Sequence, residues 1–178
     1  MSMTKIPIER LVIVPFEGMP ASVVQALADD LEARGVGVAI DAPVPLPQSA
    51  YSPDRGQYHA GILLDLVSGR GVPHVLGVTR RDVFVDRLSF VFGLAARAGG
   101  ACVISVARLT MGADDAIFRV RMLKEAVHEL GHTLGLAHCP DPACVMYFSD
   151  SLDDTDRKGD AYCERCAALL AACGRKRR

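Results

Sequence analysis

The sequence has no strong charge excess, no run suited to crossing a membrane and no secretory signal. Its formal net charge over 178 residues is −1, which gives no electrostatic reason to expect nucleic acid or an anionic membrane as a partner. The most apolar long stretch, residues 88–107, is interrupted by Arg97 and by Gly99-Gly100, so it is too broken to span a bilayer. The first apolar run, residues 6–16, contains charges and is unlike a signal peptide. We therefore expect a cytoplasmic protein.

Internal repeats and low-complexity segments are also absent. Hydrophobic residues make up 50% of the chain and charged residues 23%, a composition that is typical of globular proteins and excludes general disorder. A chain of this length can bury a core of its own, so we expect a single domain over residues 1–178. The four basic residues at 175–178 are expected to form a solvated tail.

Hydrophobic spacing predicts a mixed α/β (α+β) fold. The first strand, helix and strand form a unit that implies parallel pairing through a right-handed crossover. A short link at 98–100 predicts a hairpin between the last two strands, so that one of them runs antiparallel to the rest. Prolines interrupt residues 41–57, which we expect to form a long loop at the rim of a cleft. Strands are expected at 11–16, 36–40, 75–79, 88–94 and 101–107, and helices at 20–34, 58–67, 114–134 and 162–172.

The strongest chemical signal lies in residues 128–138, which are His-Glu-Leu-Gly-His-Thr-Leu-Gly-Leu-Ala-His. His128 and His132 are four residues apart, so a helix places both imidazoles on one face, close enough to share a metal ion. Gly135 ends that helix, and a left-handed conformation there turns the chain so that His138 returns to the metal. Three protein ligands leave a fourth position for water, which is typical of a catalytic zinc site. A helix with surface histidines is the alternative, and it does not explain why three of the five histidines fall in this segment.

Glu129 follows the first of these histidines directly and is rotated away from the metal, within reach of a water bound there. Zinc lowers the pKa of such a water to about 7. Glu129 is then expected to take the proton as general base and to pass it to the leaving amine. The motif thus predicts a zinc metallopeptidase.

Four cysteines downstream of the histidines predict a second metal site. Cys139, Cys144, Cys163 and Cys166 form a Cys-x(4)-Cys pair and a Cys-x(2)-Cys pair, separated by eighteen residues. This spacing matches a closed, tetrahedral structural zinc site, which would bring the count to two zinc ions per chain. Two disulfides are the alternative, and a reducing setting disfavours them. Cys102 is expected to be a buried hydrophobic residue, and we assign no role to Cys173.

Two residues beyond the last histidine have open assignments. Met146 follows His138 by eight residues, and its side chain is expected either under the zinc site or simply in the core. Tyr147 is expected to pack, with a position near the zinc, as an extra ligand or an oxyanion donor, as the less favoured alternative.

The extended motif, His-Glu-x-x-His-x-x-Gly-x-x-His-Cys-x(4)-Cys-x-Met followed by Cys-x-x-Cys, resembles the archaemetzincin family of the metzincin clan. The resemblance implies that the three histidines hold a catalytic zinc, that Glu129 is the general base and that Met146 forms a Met-turn. It also implies that the four cysteines hold a structural zinc. The activity implied is that of a peptidase, with aminopeptidase-like action as one form of it.

The resemblance further implies a twisted, mostly parallel five-stranded sheet with an antiparallel edge strand, an active-site helix and a small C-terminal part held by zinc. On that division, residues 1–135 form an N-terminal subdomain with the sheet and the active-site helix, and residues 136–178 a C-terminal subdomain. The expected edge strand borders the cleft and would bind an extended peptide through its main chain. Its side chains alternate, with Phe90 and Phe92 on one face. The candidate substrate-binding residues are Leu88, Ser89, Phe90, Val91 and Phe92.

Three functions compete at this point. The first is an active peptidase, a monomer whose partners are peptides or proteins. The second is a zinc-bearing peptide-binding protein with little turnover, which Glu129 disfavours because binding alone needs no base. The third is a zinc-ribbon nucleic-acid module, which the acidic residues in 150–160 disfavour because phosphates need positive charge.

Overall fold

The computed structural model describes residues 5–97 and 99–175. The helices and strands are β1 (Arg10–Pro15), α1 (Ala21–Glu32), β2 (Gly37–Ile40), β3 (Tyr51–Ser52), β4 (Gln57–His59), α2 (Ala60–Ser68), β5 (Val75–Thr79), β6 (Val83–Phe84), β7 (Gly93–Ala95), β8 (Ala101–Ser105), α3 (Asp115–Thr133), α4 (Leu152–Arg157) and α5 (Glu164–Arg175). None of the helices in these residues combines the length and the apolar character needed to cross a membrane.

The main sheet has five strands in the order β2-β1-β5-β8-β7. All neighbours pair in parallel except β7, which runs antiparallel to β8 at one edge. Every residue of β5 and β8 is buried, which explains why these strands are continuous apolar runs. Helices α1 and α3 pack on one face of the sheet, and α2 packs on the other. The predicted fold, with its antiparallel edge strand, is confirmed.

The edge strand is shorter than predicted and lies further along the chain. It comprises only Gly93–Ala95, so the prediction of a strand over 88–94 is wrong for its first five residues. The chain turns at Arg87, which has a positive φ of 73°. Val91 then forms a bridge with Val83 instead of pairing with β8. Residues 88–92 therefore form a loop beside the sheet. Within it, the Phe90 and Phe92 rings pack against each other with their centroids 5.2 Å apart.

Two small elements were not predicted. Strands β3, β4 and β6 form a second, three-stranded sheet. Strand β3 lies within residues 41–57, so the prediction of a loop over that whole segment is wrong, and Tyr58 belongs to a strand rather than to a helix. Helix α4 begins inside the acidic segment, where the Ser151 side chain accepts a hydrogen bond from the Asp154 backbone N–H. Both elements are too short to produce a hydrophobic period in the sequence.

Helix α3 carries the histidine motif and has the expected ends. The Asp114 carboxylate caps its N-terminus by accepting from Ile117 N at 2.8 Å. After its last turn, Gly135 adopts a positive φ of 98°, which turns the chain back toward the helix. The left-handed glycine predicted from the motif is therefore present.

Three buried basic side chains fasten the acidic segment to the helices. Arg121 forms a bidentate pair with Asp156 at 2.7 and 2.8 Å, and Lys124 Nζ donates to the main-chain oxygens of Thr155 and Asp156, both at 2.9 Å. The Arg34 guanidinium donates to the main-chain oxygen of Asp160 at 2.7 Å and to its carboxylate at 2.6 Å. These hydrogen bonds and ion pairs therefore hold the acidic segment of the C-terminal part against α3 and the residues that follow α1.

Candidate active site

The three histidines of the motif converge. His128 and His132 project from successive turns of α3, and their Nε2 atoms lie 3.1 Å apart. The His138 ring lies after the turn at Gly135, with its centroid 5.4 Å from that of His128 and 4.8 Å from that of His132. One ligand atom from each residue lies within 4.8 Å of the others, a separation that suits ligands of a single ion.

Two main-chain oxygens orient these rings. His128 Nδ1 is 2.8 Å from Val145 O, and His132 Nδ1 is 2.8 Å from Leu136 O. Because a carbonyl oxygen only accepts, each Nδ1 carries the proton and each Nε2 keeps a lone pair for a metal. Burial lowers the pKa of all three histidines, which favours the neutral form that binds zinc. The donor set therefore fits zinc.

Glu129 is buried beside the histidines, under the edge strand. A Cβ atom added to Gly93 would fall 2.5 Å from Glu129 Oε1 and 2.6 Å from its Cγ, so this carboxylate lies directly against β7. Burial, together with the neighbouring charge of Glu125, raises the pKa of Glu129 to about 8, and the charge of Lys158 opposes this shift. The carboxylate predicted to act as base thus lies at the junction of α3 and the edge strand.

A buried ion pair next to Glu129 was missed by the sequence analysis. Lys158 Nζ lies 2.9 Å from Glu125 Oε1, and the two side chains are 0% and 3% exposed. Thr155 Oγ1 donates to the same carboxylate at 3.1 Å. The available signal was Glu125 itself, an acid one turn before Glu129 on the buried face of α3, which requires a cation from elsewhere in the chain.

Met146 lies beneath the histidine-bearing turn and is fully buried. Its Sδ atom occupies the space that a Cβ on Gly131 would need, which explains a glycine in the interior of α3. Cys139 N donates to Met146 O at 2.9 Å, so the residue also closes the loop after the last histidine. Tyr147 is half-buried and is not among the residues that line the cavity described below.

The four downstream cysteines also converge, with their sulfur atoms within 4.8 Å of one another. Cys139 Sγ and Cys163 Sγ are 3.8 Å apart, and Cys163 N donates to Cys144 Sγ at 3.4 Å. All four are free thiols, so the alternative of two disulfides is not what the structure has. Burial raises the pKa of Cys144 and Cys166, and the backbone N–H groups near Cys144 oppose this shift. Four sulfur ligands at this separation fit a closed tetrahedral zinc site.

Cys102 is fully buried in β8, as predicted, and burial raises the pKa of its thiol. The side chain of Cys173 lies outside the described part of the chain, as do residues 176–178 of the basic tail.

A cavity of about 340 Å³ opens over the histidines and Glu129. Its walls are mostly apolar, and its other charged residues are Arg97, Glu125 and Asp150. The loop 88–92 forms one wall, where Gln57 Nε2 donates to Ser89 O at 2.9 Å and the Arg108 guanidinium lies 4.0 Å from the Phe90 ring centre. The five predicted substrate-binding residues, Leu88, Ser89, Phe90, Val91 and Phe92, all line this cavity.

Strand β7 has one open edge. Phe92 O accepts from Ser105 N at 2.8 Å, and Ala96 N donates to β8 at 2.9 Å. Because such bonds alternate along an antiparallel pair, the main-chain groups of Gly93 and Ala95 point away from β8. Within residues 5–97 and 99–175, no further strand pairs with that edge. It therefore has room for an extended peptide.

Comparison with known proteins agrees with this geometry. A model of peptidase family M54 matches residues 57–172. The chain is 36% identical over 177 residues to the archaemetzincin of Pyrococcus furiosus, a match that covers 91% of this chain and 92% of the relative. It is 50% identical over 127 residues to the archaemetzincin of Methanopyrus kandleri, covering 70% of this chain and 72% of the relative.

Two crystal structures of archaemetzincins are similar in fold. The Methanopyrus kandleri structure matches with a TM-score of 0.85 at 41% identity, over 94% of this chain and 96% of that one. The Archaeoglobus fulgidus structure, a complex with malonate, matches with a TM-score of 0.83 at 37% identity, over 89% of this chain and 98% of that one. This chain therefore belongs to the archaemetzincin family, peptidase family M54, and is a zinc metallopeptidase.

Proposed function

We propose that the chain hydrolyses peptide bonds in the cavity over α3, with His128, His132 and His138 as zinc ligands and Glu129 as general base. The observation that carries this proposal is the position of Glu129, buried beside the histidine ligands and against the open strand edge at Gly93. A zinc ion held by these imidazoles would supply the Lewis acidity that activates water and polarises a carbonyl group.

Glu129 provides the proton transfer. Its carboxylate accepts the proton of the attacking water and delivers it to the leaving amine, a role that contributes about 10²–10⁴-fold to a rate. With no metal ion at the histidines, burial and the charge of Glu125 outweigh the charge of Lys158 and favour the protonated acid, with a pKa of about 8. A divalent cation held by His128, His132 and His138 would favour the ionised form, in which Glu129 can act as base near neutral pH.

The substrate is proposed to bind as an added strand. Its main chain hydrogen-bonds to the outward-facing groups of Gly93 and Ala95, which brings a carbonyl past Glu129. The main-chain contacts with the substrate are therefore proposed at β7, and not at residues 88–92, where the edge strand was predicted. Leu88, Ser89, Phe90, Val91 and Phe92 instead form a wall for the substrate side chains. Aminopeptidase-like action is one form of the proposal and requires that a free N-terminus be accepted.

The four cysteines are proposed to hold a second, structural zinc ion, so that the chain binds two. Four thiols arranged within 4.8 Å, without an open position for substrate, support this assignment. Free thiols at this density also support a reducing, cytoplasmic location. We further propose that the chain acts as a monomer and as one domain, with residues 1–135 and 136–178 as its two subdomains. Residues on both sides of Gly135 share one core, which supports the single domain.

The proposal is tested by digesting a peptide library with the zinc-loaded protein and with Glu129→Ala. We expect the variant to keep its zinc and to lose hydrolysis by at least about 10²-fold, because only the base is removed. Glu32→Gln, a change of an exposed glutamate on α1, is the matched control and should cleave normally. Comparing free with acetylated N-termini shows whether the action is aminopeptidase-like.

Full activity in Glu129→Ala would refute the role of the base. If the parent protein binds library peptides but releases no products, a zinc-bearing peptide-binding protein replaces the peptidase.

A further inference from the structure

Arg97 is a charged residue of the cavity that the proposed reaction does not use. It lines the same cavity as the three histidines and Glu129, and its side chain is exposed there. Among residues 5–97 and 99–175, no carboxylate forms an ion pair with it. By contrast, the charge of Glu125 is balanced by Lys158. Arg97 therefore contributes a positive charge that the protein itself leaves uncompensated.

Arg97 follows β7 closely in the chain and lines the same cavity as Gly93, Leu94 and Ala95. Arg97 lies two residues beyond the end of β7, next to a turn in which Gly99 N donates to Ala96 O at 2.9 Å. Gly93 lies against Glu129, and Arg97 is close enough to act electrostatically on His132 and His138. A substrate residue facing Arg97 is therefore a few positions from the scissile bond.

Resting on the proposed peptidase function, we infer that Arg97 is a specificity-determining residue, which selects substrates with an acidic side chain near the scissile bond. A guanidinium presents planar, paired donors that match a carboxylate, so an aspartate or glutamate gains charge-assisted hydrogen bonds that an amide or a lysine lacks. A metal ion at the histidines adds positive charge to the same space, which further favours an anionic substrate group. Asp150, which also lines the cavity, is the exposed acid that limits this preference.

The test uses fluorogenic peptides in matched pairs, with Asp or Asn at each of three positions on either side of the scissile bond. For the zinc-loaded parent protein, we expect kcat/KM to favour Asp over Asn by about three- to tenfold at one of these positions, a size set by a partly exposed charged hydrogen bond. Arg97→Gln should abolish the preference, Arg97→Lys should keep part of it, and Arg97→Glu should transfer it to a Lys peptide. The preference should also weaken at high salt.

A second readout does not depend on turnover. The same labelled Asp and Asn peptides are titrated by fluorescence anisotropy against zinc-loaded Glu129→Ala, with and without Arg97→Gln. Arg10→Gln, on an exposed strand residue that does not line the cavity, is the matched control and should leave both readouts unchanged.

The outcomes are distinguishable. Asp and Asn peptides that bind and react equally at every position, or a preference that persists in Arg97→Gln, would overturn the role of Arg97. If no peptide is cleaved but the Asp preference in binding depends on Arg97, the proposed hydrolysis fails while the inference about recognition holds.

Discussion

Gly93 is the position where the smallest change should have the largest effect on the reaction. Its neighbours leave no room for a methyl group, since an added Cβ would lie 2.5 to 2.7 Å from three atoms of Glu129. Ordinary contacts begin near 3.4 Å, so in Gly93→Ala the carboxylate must retreat by about 1 Å. Gly93 has no positive φ, so its backbone tolerates alanine and the clash is the only penalty.

The magnitude follows from this displacement. A misplacement of about 1 Å in a reacting group costs on the order of 10²-fold, or roughly 2.7 kcal/mol of barrier. Overpacking a buried site costs a further about 1–3 kcal/mol of folding free energy. We therefore expect Gly93→Ala to lower kcat by about 10²-fold while zinc content is unchanged, as measured by peptide cleavage, metal analysis and urea unfolding.

Two comparisons isolate the cause. Gly69→Ala is the matched control, because that glycine ends α2 with φ −70° and a Cβ there would meet no atom closer than 3.8 Å. It should be neutral or slightly stabilising. In a double-mutant cycle, the folding penalty of Gly93→Ala should disappear in a Glu129→Ala background, where the clashing atoms are gone. Parent-like activity in Gly93→Ala, or a penalty that persists without Glu129, would refute the placement of the base against β7.

Three further predictions concern the surroundings of the site. Lys158→Met should lower the free energy of unfolding in urea by about 3–5 kcal/mol, because it leaves the Glu125 carboxylate buried without its cation. Adding Glu125→Leu should recover much of that loss, and a double variant no more stable than Lys158→Met would contradict this. Cys163→Ala should reduce zinc from two ions per chain to one and lower the melting temperature, and an unchanged metal content would argue against a four-thiol site. The hydrogen bonds from the Arg121 guanidinium hold the pKa of Asp156 below its ordinary value of 3.8. Because the folded-state pKa is lowered, this stabilisation is complete above about pH 4 and is lost as the pH falls through the folded pKa. Asp156→Asn should therefore show a flatter dependence of unfolding free energy on acid pH, and an identical pH profile would contradict the assignment.

The parts of the site that were predictable are those encoded by local geometry. The four-residue spacing of His128 and His132 is a property of any helix, and the turn at Gly135 needs only a left-handed glycine. The main sheet was equally accessible, because strands buried on both faces are apolar runs bounded by turn residues. These features depend on residues that are close together in the sequence, so they can be predicted without knowledge of the fold.

The features that escaped prediction depend on contacts between distant segments. The loop 88–92 is as apolar as a strand, but the turn at Arg87 and the bridge from Val91 to Val83 divert it from the sheet. Lys158 follows a segment rich in aspartate, where a lysine is expected to be exposed to solvent. Only the folded chain shows that its side chain is buried and paired with Glu125. In both cases the sequence shows the residues themselves but not the distant residue that they contact, which is Val83 for the loop and Glu125 for Lys158.

The segment between the last histidine and Met146 ties the two metal-ligand sets together. Cys139 follows His138 directly, so a metal at the thiols fixes where the third imidazole leaves the turn. Met146 closes the same segment by accepting from Cys139 N, and Val145 O holds the ring of His128. Two of the three imidazoles are thus oriented by a segment that begins at a thiol ligand. If the thiols bind a metal as proposed, that metal would contribute to catalysis through preorganisation, because it would hold the groups that position the histidines without itself meeting a substrate.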